Sequence, residues 1–141
     1  MTSFLTLLIY YWIIIFSVIG YGIFFNKFFY SSSEKDIGFI GIYGIFTLIF
    51  ISYCTSFFLP HTELFNSIII IIGLINFIIN KKIKIVQRNI KNLSLVFIIL
   101  TVFILVSKQH DDFPYYHFPY VHLLTEYSNM IGIGNFNHGF R

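Results

Sequence analysis

Charge is what this chain has least of. Only 11% of its 141 residues are Asp, Glu, Lys or Arg, against 57% hydrophobic, and the mean hydropathy is +0.80. A soluble domain carries about 25% charged residues, so a water-soluble globular fold is excluded. Cysteine is nearly absent too. Cys54 stands alone inside an apolar run, which rules out a disulfide framework and reads as a small packed hydrophobe. The N-terminus lacks the basic n-region and small-residue cleavage site of a secretory signal, so the apolar stretch from Phe4 is a retained span. There is no P-loop, CxxC pair, Ser/His/Asp order, internal repeat or low-complexity linker. Nor do the cations form a face for nucleic acid: five of the nine Lys and Arg lie within 81–91.

What remains is a set of apolar runs, at about 4–25, 37–59, 64–79 and 93–106. The first two reach roughly 33 Å as helices, enough for a hydrocarbon core of ~30 Å. The last two are shorter, roughly 21–24 Å, and cross if flanking lysines snorkel. A re-entrant hairpin over 64–106 is the competing arrangement, but its tip would bury five cations. The fold expected is therefore an all-α polytopic transmembrane bundle of about four spans. The 80–92 connection carries Lys81, Lys82, Lys84, Arg88 and Lys91 without an acid, which marks it as cytoplasmic. Ile83, Val86 and Ile90 opposite those cations also fit an interfacial helix, although a basic orienting loop is the simpler reading. Alternation puts seven cations inside and two, Lys108 and Arg141, outside. Gly38, Gly41 and Gly44 set small residues along one side of the second span, as close helix packing uses.

The segment 108–141 is then an extracytoplasmic acidic, aromatic and His-rich tail, and four of the five histidines fall in it. Ionisable groups gathered where a helix leaves the bilayer mark a candidate functional site. Asp111 and Asp112 allow three readings. Asp112 caps a helix beginning FPYY, with Pro114 in its first turn. Alternatively His110 and Asp111 help hold a divalent cation such as Mg or Mn, or a carboxylate acts as a general base. On an extended segment the two carboxylates point opposite ways and do not share one role equally. His117 and His122 lie five apart, a poor spacing for a zinc site on one helical face. Tyr115, Tyr116, Phe118 and Tyr120 form an aromatic belt at headgroup level or a stacking surface for sugars. Gly132, Gly134 and Gly139, around Asn135, Asn137 and His138, suit either a flexible loop or a backbone anion nest.

The pattern Asp112-x-x-x-Tyr116-His117-x-Pro119, followed by Gly132-x-Gly134-Asn135-x-Asn137-His138-Gly139-Phe140, resembles a bacterial family of large polytopic inner-membrane proteins of cell-surface polysaccharide assembly. Those are similar to the GT-C glycosyltransferases, which use polyprenyl-phosphate sugars. The resemblance covers about 110–141 and implies a membrane-embedded glycosyltransferase acting on lipid-linked sugars and a glycan acceptor. It implies Asp112 as base with Asp111 as alternate, and Tyr116, His117, Asn135 and His138 lining the donor site. GT-C enzymes place the acid after their first span, whereas four runs precede it here, and their folds have more spans. The expectation is thus the N-terminal part of a longer protein. The rival is a non-enzymatic integral membrane protein, a transporter subunit or assembly partner. Spans nearly free of charge disfavour transport.

Overall fold

The computed structural model describes residues 2–29, 36–80, 84–106 and 111–129. These form α1 (Thr2–Phe29), α2 (Ile37–Ser56), α3 (Glu63–Asn80), α4 (Lys84–Val106), a five-residue π-helical turn (Phe113–His117) and α5 (Phe118–Glu126). The all-α expectation holds: no strand occurs among the described residues. Helices α1, α2 and α3 are long and apolar enough to cross a membrane, and α4 contributes a shorter apolar stretch, Ser94–Phe103. Apolarity all round a helix, rather than on one stripe, is what a membrane span requires.

Three boundaries differ from the sequence expectation by three residues or more, the first being the end of α1, at Phe29 rather than near Phe25. Residues 84–92 of the expected basic loop are helical and continuous with the fourth apolar run. Lys, Arg and Gln are good helix formers, so nothing in 84–92 stops the helix from beginning early. The second helix ends at Ser56 rather than near Leu59, in a turn before Pro60.

The chain divides into two compact units, Met1–Ile49 with Ile69–Val106, and Phe50–Ile68 with Ser107–Arg141. In the first, α1 is the central helix. Its Ile19 and Ile23 are buried with Ile40 of α2, flanked by Ile15, Ile37 and Phe77. Gly20 lies against the backbone of Gly73 in α3, and Gly22 against the backbone of Ile40 in α2. Two residues apart on a helix is about 200° around its axis, so the two glycines serve opposite neighbours. A methyl at either would overlap a backbone carbonyl. Of the expected stripe on α2, Gly44 packs in this way, onto the backbone of Val18, while Gly38 and Gly41 face open space.

Aromatic stacking and two polar ties complete the unit. Phe97 of α4 stacks on Trp12 at 3.6 Å between ring centroids, and Phe77 of α3 on Phe16 at 4.8 Å. The Tyr21 hydroxyl donates to the carbonyl of Ile69 at 2.7 Å, and the Lys27 ammonium to Asn80 Oδ1 at 2.5 Å. Two threonine hydroxyls within the spans return to their own helix: Thr47 donates to Tyr43 O, and Thr101 to Phe97 O. Back-bonding of this kind hides a polar group where water is scarce. The buried Ser17 Oγ, beside Gly73, has no hydrogen-bond partner among the described residues.

These contacts rank three substitutions. Gly73→Val forces α1 and α3 apart and is expected to cost at least the 1–3 kcal/mol usual for overpacking. Tyr21→Phe loses one interhelical bond, about 1 kcal/mol, and Ser17→Ala removes an unsatisfied hydroxyl at no cost or with a gain. Thermal unfolding in detergent should give that order.

Candidate functional site

The second unit holds the acidic and aromatic residues, and its frame is an exchange between helix ends. A helix leaves its last four carbonyls without intrahelical partners. Here the His61 N–H, in the connection after α2, donates to Leu124 O near the end of α5 at 2.8 Å. In return the Asn129 N–H, just past α5, donates to Ser56 O at the end of α2 at 2.6 Å. Each helix C-terminus is therefore capped by the chain that follows the other.

His61 is the centre of this frame. Its Nε2 is 3.1 Å from Thr55 Oγ1 and its Nδ1 3.3 Å from Ser52 Oγ, with the ring stacked on Phe65 at 5.0 Å. Asn66 Nδ2 donates to the His61 carbonyl at 2.8 Å. The protons can be assigned by elimination. The Thr55 hydroxyl spends its one proton on Ile51 O at 2.7 Å, so it accepts from His61 and Nε2 carries the hydrogen. Nδ1 is paired with the Ser52 hydroxyl. Thr62 caps the start of α3, accepting from the Phe65 N–H at 3.2 Å, and Glu63 in the first turn suits the positive helix end. Sequence reasoning missed this cluster. Its signal was Ser52, Thr55 and Ser56 at helical spacing, followed by the polar Pro60–Glu63 connection.

Asp111 and Asp112 form an exposed turn, not an extended segment, so the opposite-pointing argument does not apply to them. Asp112 has φ −77° and ψ −11° and occupies the N-cap position of the π turn without a side-chain cap bond; its carbonyl accepts from the Tyr115 N–H at 3.2 Å. The cap expected of Asp112 is thus positional only.

The π turn has a cause in the two prolines. In an α-helix Pro119 would clash with the carbonyl four residues back. Widening the preceding turn avoids this, and the Phe118 N–H reaches Phe113 O, five residues back. Exposed Phe113, Phe118 and His122 then form a ladder, with centroids 6.2 Å and 6.1 Å apart, and the His122 ring is nearly parallel to that of Phe118, at 4°. His117 is exposed at the junction, and the backbone of Tyr116 lies in the π turn. His110, Asn135 and His138 lie outside the described residues, as does the side chain of Tyr116. Among the described residues no three His, Cys, Asp or Glu come together to hold a metal ion. Asp111, Asp112 and His117 are thus all exposed and stand in the chain beside the rings of the aromatic ladder, and α5 is tied to the α2–α3 connection.

Residues 4–140 match the family described as Domain of unknown function (DUF8201). The chain belongs to this family. No curated protein and no solved structure matches it. The family match takes in the spans and most of the tail alike.

The end-to-end capping makes a measurable claim. In hydrogen exchange, the amides of His61 and Asn129 should be protected relative to those of Asp111 and Asp112. His61→Ala keeps its backbone bond but loses two side-chain bonds, and should lower stability by about 1–2 kcal/mol.

Proposed function

We propose that this chain is part of a membrane-embedded, GT-C-like glycosyltransferase that acts on lipid-linked sugars in cell-surface polysaccharide assembly. It sits in the bacterial cytoplasmic membrane with the 108–141 segment outside, an orientation supported by the cations at 81–91. The observation that carries the reading is the exposed Asp111–Asp112 turn opening directly into an aromatic ladder. Carboxylates beside exposed ring faces suit a saccharide, whose hydroxyls need acceptors and whose faces stack on aromatics. In the reaction, an acceptor hydroxyl oxygen attacks the anomeric carbon while Asp112, or Asp111 as alternate, takes its proton. The bond from that carbon to the phosphate oxygen breaks, and the phosphate leaves with the electron pair. Tyr116, His117, Asn135 and His138 line the donor site. A divalent cation or a histidine would offset the leaving-group charge.

One observation favours a second reading. Only 6% of the apolar window of α3 and 17% of that of α2 are buried within the chain. Bare helix faces of this extent suit a subunit that assembles with other membrane helices, without chemistry of its own.

Asp112→Asn in the complete gene separates the two. Loss of a general base typically costs 10²–10⁴ in rate, so surface polysaccharide should fall sharply at unchanged protein level. Normal polymer from both Asp112→Asn and Asp111→Asn would reject the catalytic reading.

A further inference from the structure

We propose that the flank of α5 bearing Phe118 and Val121 lies in the lipid surface itself, at the boundary between headgroups and acyl chains, as an in-plane helix. This does not rest on the glycosyl-transfer reading and stands if the chain transfers no sugar.

The level of α5 follows from where its end is bonded. Both α2 and α3 are long and apolar enough to cross a membrane, and only residues 57–62 separate them. That connection therefore lies at a membrane face. Its sequence carries the boundary: Phe57, Phe58 and Leu59 are exposed and apolar, Phe58 by 82%, and the polar His61, Thr62 and Glu63 follow. A phenylalanine that open is favoured in acyl chains and costly in water. The two backbone bonds that hold α5 fall on either side of this point, on Ser56 O before it and from the His61 N–H after it. The C-terminal end of α5 is thus fixed at the height where hydrocarbon gives way to headgroups.

The chemistry of its surface sets how the helix lies. Pro119, Tyr120, Leu123 and Leu124 are half-buried, so one face of α5 is covered over both of its turns and the other is open. At about 100° per residue, the open face divides into two flanks. Phe118 and Val121, 56% and 57% exposed, fall on one, and the exposed His122 and Glu126 on the other. The Phe113 ring, 6.2 Å from that of Phe118, extends the apolar flank. An upright helix would lift these rings into water, whereas a flat one puts them at the level of Phe58. An apolar flank beside a polar one is the arrangement of an interfacial helix, whose apolar side lies about 5–10 Å into the headgroup and acyl boundary. Because His122 stacks on Phe118, the aromatic ladder passes from lipid to water within one pair of rings.

The flank is too small for a protein partner. The open parts of Phe113, Phe118 and Val121 come to roughly 300 Å², short of the about 800 Å² that a stable interface takes from each side. Nor is the attachment electrostatic. Among the described residues of the second unit, the charged side chains are Glu63, Asp111, Asp112 and Glu126, all acidic and all exposed. Insertion accordingly needs no anionic lipid.

Tryptophan reports the depth. Trp12 is the chain's one tryptophan, so a Trp12→Phe background in phosphatidylcholine bilayers is dark. There Phe118→Trp and Val121→Trp should be quenched by lipids brominated along the acyl chain, at a depth of about 5–10 Å below the headgroups, and little by aqueous acrylamide. His122→Trp and Glu126→Trp should show the reverse. Trp12 stacks on Phe97. Should its loss lower helicity by circular dichroism, nitroxide labels at the same positions in a Cys54→Ser background, read by oxygen and nickel-chelate collisions, should give the same order. Acrylamide quenching at every position would overturn the proposal by placing α5 in water. Shielding of positions 118 and 121 from both quenchers would overturn it in favour of a protein partner or a second copy. Equal bromolipid quenching at all positions would do so by removing the distinction between flanks. None of these readings involves glycosyl transfer, so their outcome is separate from that of Asp112→Asn.

Discussion

The backbone of α1 touches the backbones of two other helices, and the first unit is arranged around that contact. Between helices in lipid there is little hydrophobic driving force, so association relies on close packing and interhelical hydrogen bonds. Gly20 and Gly22 supply the approach on opposite sides, met by Gly73 of α3 and by Ile40 of α2. With α3 so close, the Tyr21 hydroxyl can reach a carbonyl of its helix, and Phe16 and Phe77 can stack. The same approach on the α2 side seats Gly44 on Val18. Farther along α2, Gly38 and Gly41 meet no neighbour among the described residues.

The second unit solves a different problem, that of helix ends in a poorly hydrated setting. An uncapped carbonyl there costs several times what it costs in water. The exchange between the α2 and α5 termini satisfies one on each helix and at the same time holds α5 to the α2–α3 connection. The acidic turn and the aromatic ladder thus stand on an anchored element. The two units share a principle, in that polar groups are satisfied locally or by the adjacent backbone. Threonines bond to their own helices, and His61 bonds to two hydroxyls of the preceding one.

The helices were legible in the sequence because uniform apolarity over about 20 residues is a property of length and composition, which needs no knowledge of neighbours. The early start of α4 was not, because the cations that signal topology are also good helix formers. Which glycines pack was not legible either: Gly38, Gly41 and Gly44 look alike in sequence, but only the last meets a neighbour. His61 escaped notice for the same reason. Its meaning lies in Ser52, Thr55 and Leu124, and the last of these is 63 positions away. The acidic turn could be found from local pattern, but its geometry depended on the two prolines beyond it.

Those prolines have a consequence for how this segment can vary. Pro114 and Pro119 each stand where a missing N–H is harmless, and the residue just before Pro119 donates the bond that closes the wide turn. Deleting a single residue between them would bring the ring onto that donor's position and silence it. The interval between the two rings is therefore a gauge, in which the number of residues is fixed whatever side chains it carries.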